Sequence, residues 1–189
     1  MKKYLLNPFQ NYSERQLLIV GFLGNALLVL LCFNFKTKFI GNLKTIPLNS
    51  IELKNVIVQH LIIVAITTLL FFGLGKYLNS KTRFIDILVT CLVSRIVFCI
   101  IPFINYNNNM FEITKSVLGS LTTVNPEKTM ANNLPILLFF TAIVLISTVW
   151  FFILLYNGFK TATNAKGTKS ILLFITACIL SEILTRILI

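Results

Sequence analysis

Long apolar runs alternate with short polar segments along this chain, and five of the runs reach spanning length: Gln16–Phe35, Val56–Gly75, Phe84–Ile104, Leu134–Tyr156 and Ser170–Ile189. About 20 apolar residues in an α-helix cross a hydrocarbon core of roughly 30 Å, and a helix is suited to lipid because it closes its own backbone hydrogen bonds. The pattern therefore predicts an all-α fold, a polytopic membrane bundle of five transmembrane helices, with residues 1–189 forming a single membrane domain. The fourth run carries no charge. It places Pro135 in its first turn, where a missing N–H costs nothing, and Trp150 and Tyr156 toward its end, where aromatic rings favour the interface.

Two of the intervening segments carry a pattern of their own. Met110, Ile113, Val117, Leu118, Leu121 and Val124 recur at helical spacing, with Glu112, Lys115, Ser116 and Thr122 between them. That predicts a short amphipathic helix over about 110–124, either lying in the membrane interface or packed on the ends of the spans. Segment Phe39–Leu53 is half-apolar and broken by Gly41 and Pro47, which reads as an interfacial loop. Tyr106-Asn107-Asn108-Asn109 reads as a polar turn.

Composition agrees. Hydrophobic residues make up 56% of the chain and charged residues 12%, about half the charge of an average soluble domain. Mean hydropathy is +0.85. The net charge of +11 does not point to nucleic acid, because most of the 17 Lys and Arg are dispersed among the polar segments instead of lining one aromatic-rich face. They orient the helices instead. The tail 1–15 and the loops 76–83 and 157–169 carry three Lys or Arg each, against four in 36–55 and two in 105–133. The expected topology has a cytoplasmic N-terminus and an external C-terminus. The first apolar run is too long for a signal-peptide core and no small-residue cleavage site follows it, so it is expected to remain as a span.

Ionisable and amide groups inside the runs carry the candidate chemistry. Arg95 falls near the middle of the third run, Glu182 and Arg186 in the fifth, His60 one turn into the second, and Asn25 at the centre of the first. Such groups are costly in lipid and turn toward protein or water. Arg95 is 11 residues past Phe84 and Glu182 is 12 past Ser170, so at about 1.5 Å per residue both lie near 17 Å from the same face, and the two are expected to meet as a pair inside the bundle. Glu182 precedes Arg186 by one turn, the favourable order for a helical ion pair. Small and hydroxylated residues mark the inward faces: Gly21, Gly24, Asn25 and Leu28; Cys91, Ser94, Arg95 and Cys99; Cys178, Ser181, Glu182, Thr185 and Arg186. Two readings follow for Arg95, Glu182, Arg186, Asn25 and His60. One is a buried polar lock that fixes helix order; the other is an ion or anion site. A proton relay needs a chain of groups across the membrane, and only one carboxylate lies deep.

Catalysis is not indicated. The chain lacks GxGxxG, P-loop, HExxH and GxSxG patterns, and its single His cannot supply the bases or metal sets that membrane hydrolases require. Cys32, Cys91, Cys99 and Cys178 all sit in apolar runs without ligand spacing. No catalytic residue, metal or cofactor is expected.

Taken together, the pattern resembles the Yip (Ypt/Rab-interacting protein) domain family. The similarity rests on Phe84-Ile85-Asp86-Ile87-Leu88 opening the third run, on Pro102 near its end, and on Trp150, Leu155, Gly158, Phe159, Ala162 and Ala165 before the last. Asn7-Pro8-Phe9 is similar to bacterial members. The resemblance implies five spans and a non-enzymatic role as a scaffold or a transporter-associated accessory in the bacterial cytoplasmic membrane. It implies other membrane proteins, an ABC-type exporter among them, as partners besides the lipid bilayer. The eukaryotic link to Rab GTPases is not expected to carry over to a tail of about fifteen residues before the first span. The competing expectation is a small transporter or channel subunit using Arg95, Glu182 and Arg186.

Overall fold

The computed structural model describes residues 5–120, 126–165 and 167–189. It is an all-α bundle containing five helical segments long and apolar enough to cross a membrane. The first helix, α1 (Glu14–Asn34), starts at a capping box: Ser13 Oγ accepts from the Gln16 N–H at 3.4 Å, and Gln16 Oε1 accepts from the Ser13 N–H at 3.1 Å. A β-hairpin follows, with β1 (Thr37–Ile40) antiparallel to β2 (Lys44–Pro47). Then come α2 (Leu53–Leu78), α3 (Phe84–Arg95), α4 (Asn109–Ser120), α5 (Pro126–Thr163) and α6 (Thr168–Leu188). The central helix α3 packs on α1, α2 and α5, and α6 packs on α2.

The third span departs from its expected form. Instead of one α-helix over Phe84–Ile104, it is α-helical only to Arg95 and continues as 3-10 turns over Ile96–Ile100 and Pro102–Asn108, the second broken by non-helical backbone at Asn105, Tyr106 and Asn107. Pro102 has no N–H for the carbonyl one α-turn back, so the chain tightens: Ile101 N–H donates to Phe98 O and Ile104 N–H to Ile101 O, each at 3.0 Å. Twelve α-residues and five 3-10 residues still rise about 28 Å, enough to cross. Asn107 and Asn108 then adopt left-handed φ of 53° and 60°, as asparagine tolerates, and form the expected polar turn.

Two further expectations change. Pro135 lies ten residues into α5, not in its first turn, because the helix already begins at Pro126. Segment Phe39–Leu53 is not an interfacial loop: its first part belongs to the hairpin, whose tip is buried among α2, α3 and α6. The expected amphipathic helix is present as α4, and Leu121, Thr122 and Val124 lie outside the described residues.

One end of the bundle gathers the segment before α1, the loop after α2 and the end of α5. Asn157 Nδ2 donates to Leu6 O at 2.7 Å, Asn79 Nδ2 to Thr163 O at 3.0 Å, and Arg83 bridges Glu14 at 2.5 Å and Asp86 at 2.7 Å. Asp86 and Glu14 hold the Arg83 guanidinium above its ordinary pKa, so its charge is permanent. These contacts fix a shared side. Single cysteines introduced at Ser80 and Asn164 are therefore expected to react with a membrane-impermeant maleimide from the same face, and labelling from opposite faces would break the five-span count.

Candidate functional site: a buried hairpin hub

The hairpin tip forms because Gly41 takes a φ of +82°, open to glycine without penalty, and turns the chain between two strands rich in β-branched residues. Its base is closed by Leu48 N–H donating to Lys36 O at 2.8 Å. Irregular backbone at membrane depth is tolerated only where protein surrounds it, and here α2, α3 and α6 do.

Asn42 is the centre of the hub. Its Oδ1 accepts from Arg95 Nη1 at 3.2 Å and from Thr67 Oγ1 at 3.0 Å. Its Nδ2 donates to Ser181 Oγ at 3.2 Å, and its backbone N–H donates to Glu182 Oε2 at 2.8 Å. One residue of the hairpin thus binds three helices. Arg95 is 1% exposed, with its guanidinium 5.4 Å from the Phe39 ring centroid and 5.8 Å from that of Phe98. Cation–π attraction of this kind strengthens when the cation is desolvated. Arg95 Nε and Nη2 have no hydrogen-bond partner.

Arg95 and Glu182 are brought to the same hub, but they do not touch as an ion pair: Asn42 stands between them. Glu182 pairs instead with Arg186, whose Nε lies 2.7 Å from Oε1. That pair is nearer the surface, with side-chain exposures of 18% for Glu182 and 49% for Arg186. Gly41 admits this arrangement, since a Cβ there would come within 3.0 Å of Glu182 Oε1 and 3.1 Å of Arg186 Cγ.

Asn25 and His60 form a second node, on the α1 side of α3. Where α3 switches to 3-10 geometry, Ile96 N–H donates to Val93 O, which strips the Leu92 carbonyl of its usual donor. Asn25 Nδ2 replaces it at 2.7 Å and also donates to Gly21 O at 2.7 Å. His60 Nε2 meets Asn25 Oδ1 at 2.8 Å. The glycine stripe of α1 makes this approach possible: a Cβ on Gly21 would sit 2.9 Å from Leu92 Cβ, and one on Gly24 would collide with Ile96.

Asn42 and Thr67 escaped the sequence reading. Asn42 stood beside a turn glycine, flanked by Thr-Lys-Phe-Ile and Lys-Thr-Ile-Pro, which is a hairpin signal, but nothing in the order of residues aims the tip inward.

The space around the hub is small. A cavity of about 10 Å³ lies against Asn42, Thr67, Ser181 and Glu182, room for one water at most. Arg95 lines neither the groove of about 340 Å³ along β2 and α5 nor that of about 390 Å³ between α1 and α2. Among the described residues no group of three or more His, Cys, Asp or Glu is placed to hold a metal. Comparison with protein-family models, curated proteins and solved structures finds no match to this chain.

Proposed function

We propose that this chain is a non-enzymatic membrane scaffold of Yip type, serving as an accessory to another membrane protein such as an ABC-type exporter, with its N-terminus cytoplasmic and its C-terminus external. The observation that carries the reading is the filled hub: Asn42 ties the polar groups of α2, α3 and α6 to the hairpin, and the cavity beside it holds no more than one water. Such a centre fixes helix order; it does not conduct. The long helix α5 supports the same view. It spans 38 residues, about 57 Å, and turns Leu138, Phe139, Leu145, Ile146 and Val149 outward, a face available to a partner helix.

Photo-crosslinking in native membranes tests this. Crosslinkers at Phe139, Leu145 and Val149 are expected to capture one and the same integral membrane protein, while a crosslinker at Leu23 on α1 does not. A second reading rests on the two unpartnered nitrogens of Arg95, which leave a buried cation incompletely satisfied. Under it the chain is a transporter or channel subunit using Arg95, Glu182 and Arg186. Saturable anion or proton flux in proteoliposomes that disappears in Arg95→Met would establish that reading and overturn the first.

A further inference from the structure

The Asn25–His60 node determines which ring nitrogen of His60 carries the proton. Both hydrogens of Asn25 Nδ2 are committed to carbonyl oxygens, of Gly21 and Leu92, which can only accept. The amide therefore cannot be flipped, and its Oδ1 is the atom facing His60. An oxygen acceptor demands a donor, so His60 Nε2 bears the hydrogen. In the neutral ring this leaves Nδ1 as a bare lone pair. Nδ1 has no partner among the described residues. His60 itself is 8% exposed and lines the groove between α1 and α2.

That groove holds about 390 Å³ and is apolar apart from Asn25 and His60. Phe22 and Leu61 in its wall are strongly exposed, so it opens sideways, on the face of α1 and α2 that lipid would cover. His60 lies seven residues into α2, about 11 Å along the helix from Leu53, and Asn25 nine residues before the end of α1. An apolar slot with one oriented polar group is how small-molecule sites are built. A ligand reaching it must come from the bilayer and must bring a donor. Esters, ethers and ketones present only acceptors to the lone pair.

We infer that the groove between α1 and α2 binds a bilayer-resident alcohol, whose hydroxyl donates to His60 Nδ1 while its apolar body lies against Phe22, Leu30, Ile57 and Leu61. This stands apart from the scaffold reading, since it uses neither Arg95 nor α5.

The chain has a single histidine, so ¹⁵N-histidine labelling reports these two ring nitrogens alone. In nanodiscs the wild-type spectrum is expected to show a protonated Nε2 and an unprotonated Nδ1. Titration with tetradecan-1-ol should shift the Nδ1 resonance saturably, and the methyl ether of the same alcohol should not. Replacing Asn25 by Leu frees Nε2, so Nδ1 carries the hydrogen part of the time, and the preference for alcohol over ether, about tenfold for one hydrogen bond, is expected to fall. An unprotonated Nε2, or a ring doubly protonated at neutral pH, overturns the inference. So does an equal response to both probes, which marks a merely apolar groove. No response to either probe also overturns it, and shows the slot closed or filled by another helix.

Discussion

Asn42→Leu is expected to destabilise the protein in detergent by about 3 kcal/mol, the scale on which a buried charge left without its partner is felt. The substitution removes the side-chain hydrogen bond to Arg95 Nη1 and leaves the guanidinium with aromatic contacts alone. Arg95→Met fills similar space without the charge and is expected to cost less, because replacing a buried ion by an apolar residue is often neutral. The double variant should then recover at least about 1 kcal/mol relative to the sum of the singles, as contacting residues require. Glu182→Gln is the informative control. It keeps an acceptor for the Asn42 N–H and loses only a partly exposed ion pair with Arg186, so its effect should stay below about 1 kcal/mol. Cys32 and Cys91 are free and buried, so the onset of thiol labelling during a thermal ramp reports unfolding directly. Additivity of Asn42→Leu and Arg95→Met within about 0.5 kcal/mol would remove Asn42 as the partner of Arg95.

The sequence made the helices legible because lipid imposes a length and a composition that few other folds satisfy. Each of the five runs falls on a helical segment of the structure, and the expected inward faces include Leu28, Cys91, Ser94, Ser181 and Thr185, all buried. Arg95 and Glu182 could be placed at similar depth by helical rise alone. What helical rise cannot give is what lies between two helices. The hairpin is a non-local insertion: its strands are only four residues each, and the tip gains its position from Thr67, Arg95, Ser181 and Glu182, which lie 25 to 140 residues further along the chain. A four-residue strand carries too little periodicity to announce burial. The 3-10 switch after Arg95 was equally hidden, since Pro102 accounts for the turn at Ile101 but not for one that starts at Ile96. Asn25 and His60 were visible as polar residues in apolar runs, but their pairing follows from that switch, which frees the Leu92 carbonyl for Asn25.

Gly41→Val is expected to detach the hairpin tip, with a loss of at least about 2 kcal/mol in the same thiol-labelling assay. Two independent costs combine. A φ of +82° is hostile to a β-branched residue, a strain of about 1–3 kcal/mol by itself. The new Cβ would also press on the Glu182 carboxylate and on Arg186 Cγ, whose distances of 3.0 and 3.1 Å leave no room for the methyl groups beyond it. Relief requires the tip to withdraw, and withdrawal breaks the Asn42 N–H bond to Glu182 together with the side-chain bonds to Ser181, Thr67 and Arg95. Gly73→Ala separates this local cause from a general intolerance of change. Gly73 lies within α2, and a Cβ there meets nothing within 4 Å. An alanine gains helix propensity of about 0.5–1 kcal/mol at no steric cost, so Gly73→Ala should leave the protein as stable or more so. Equal losses at both positions would mean that the hairpin tip holds no special place in the bundle. A silent Gly41→Val would mean that the tip is not seated against Glu182 at all, and the polar lock would lose its keystone.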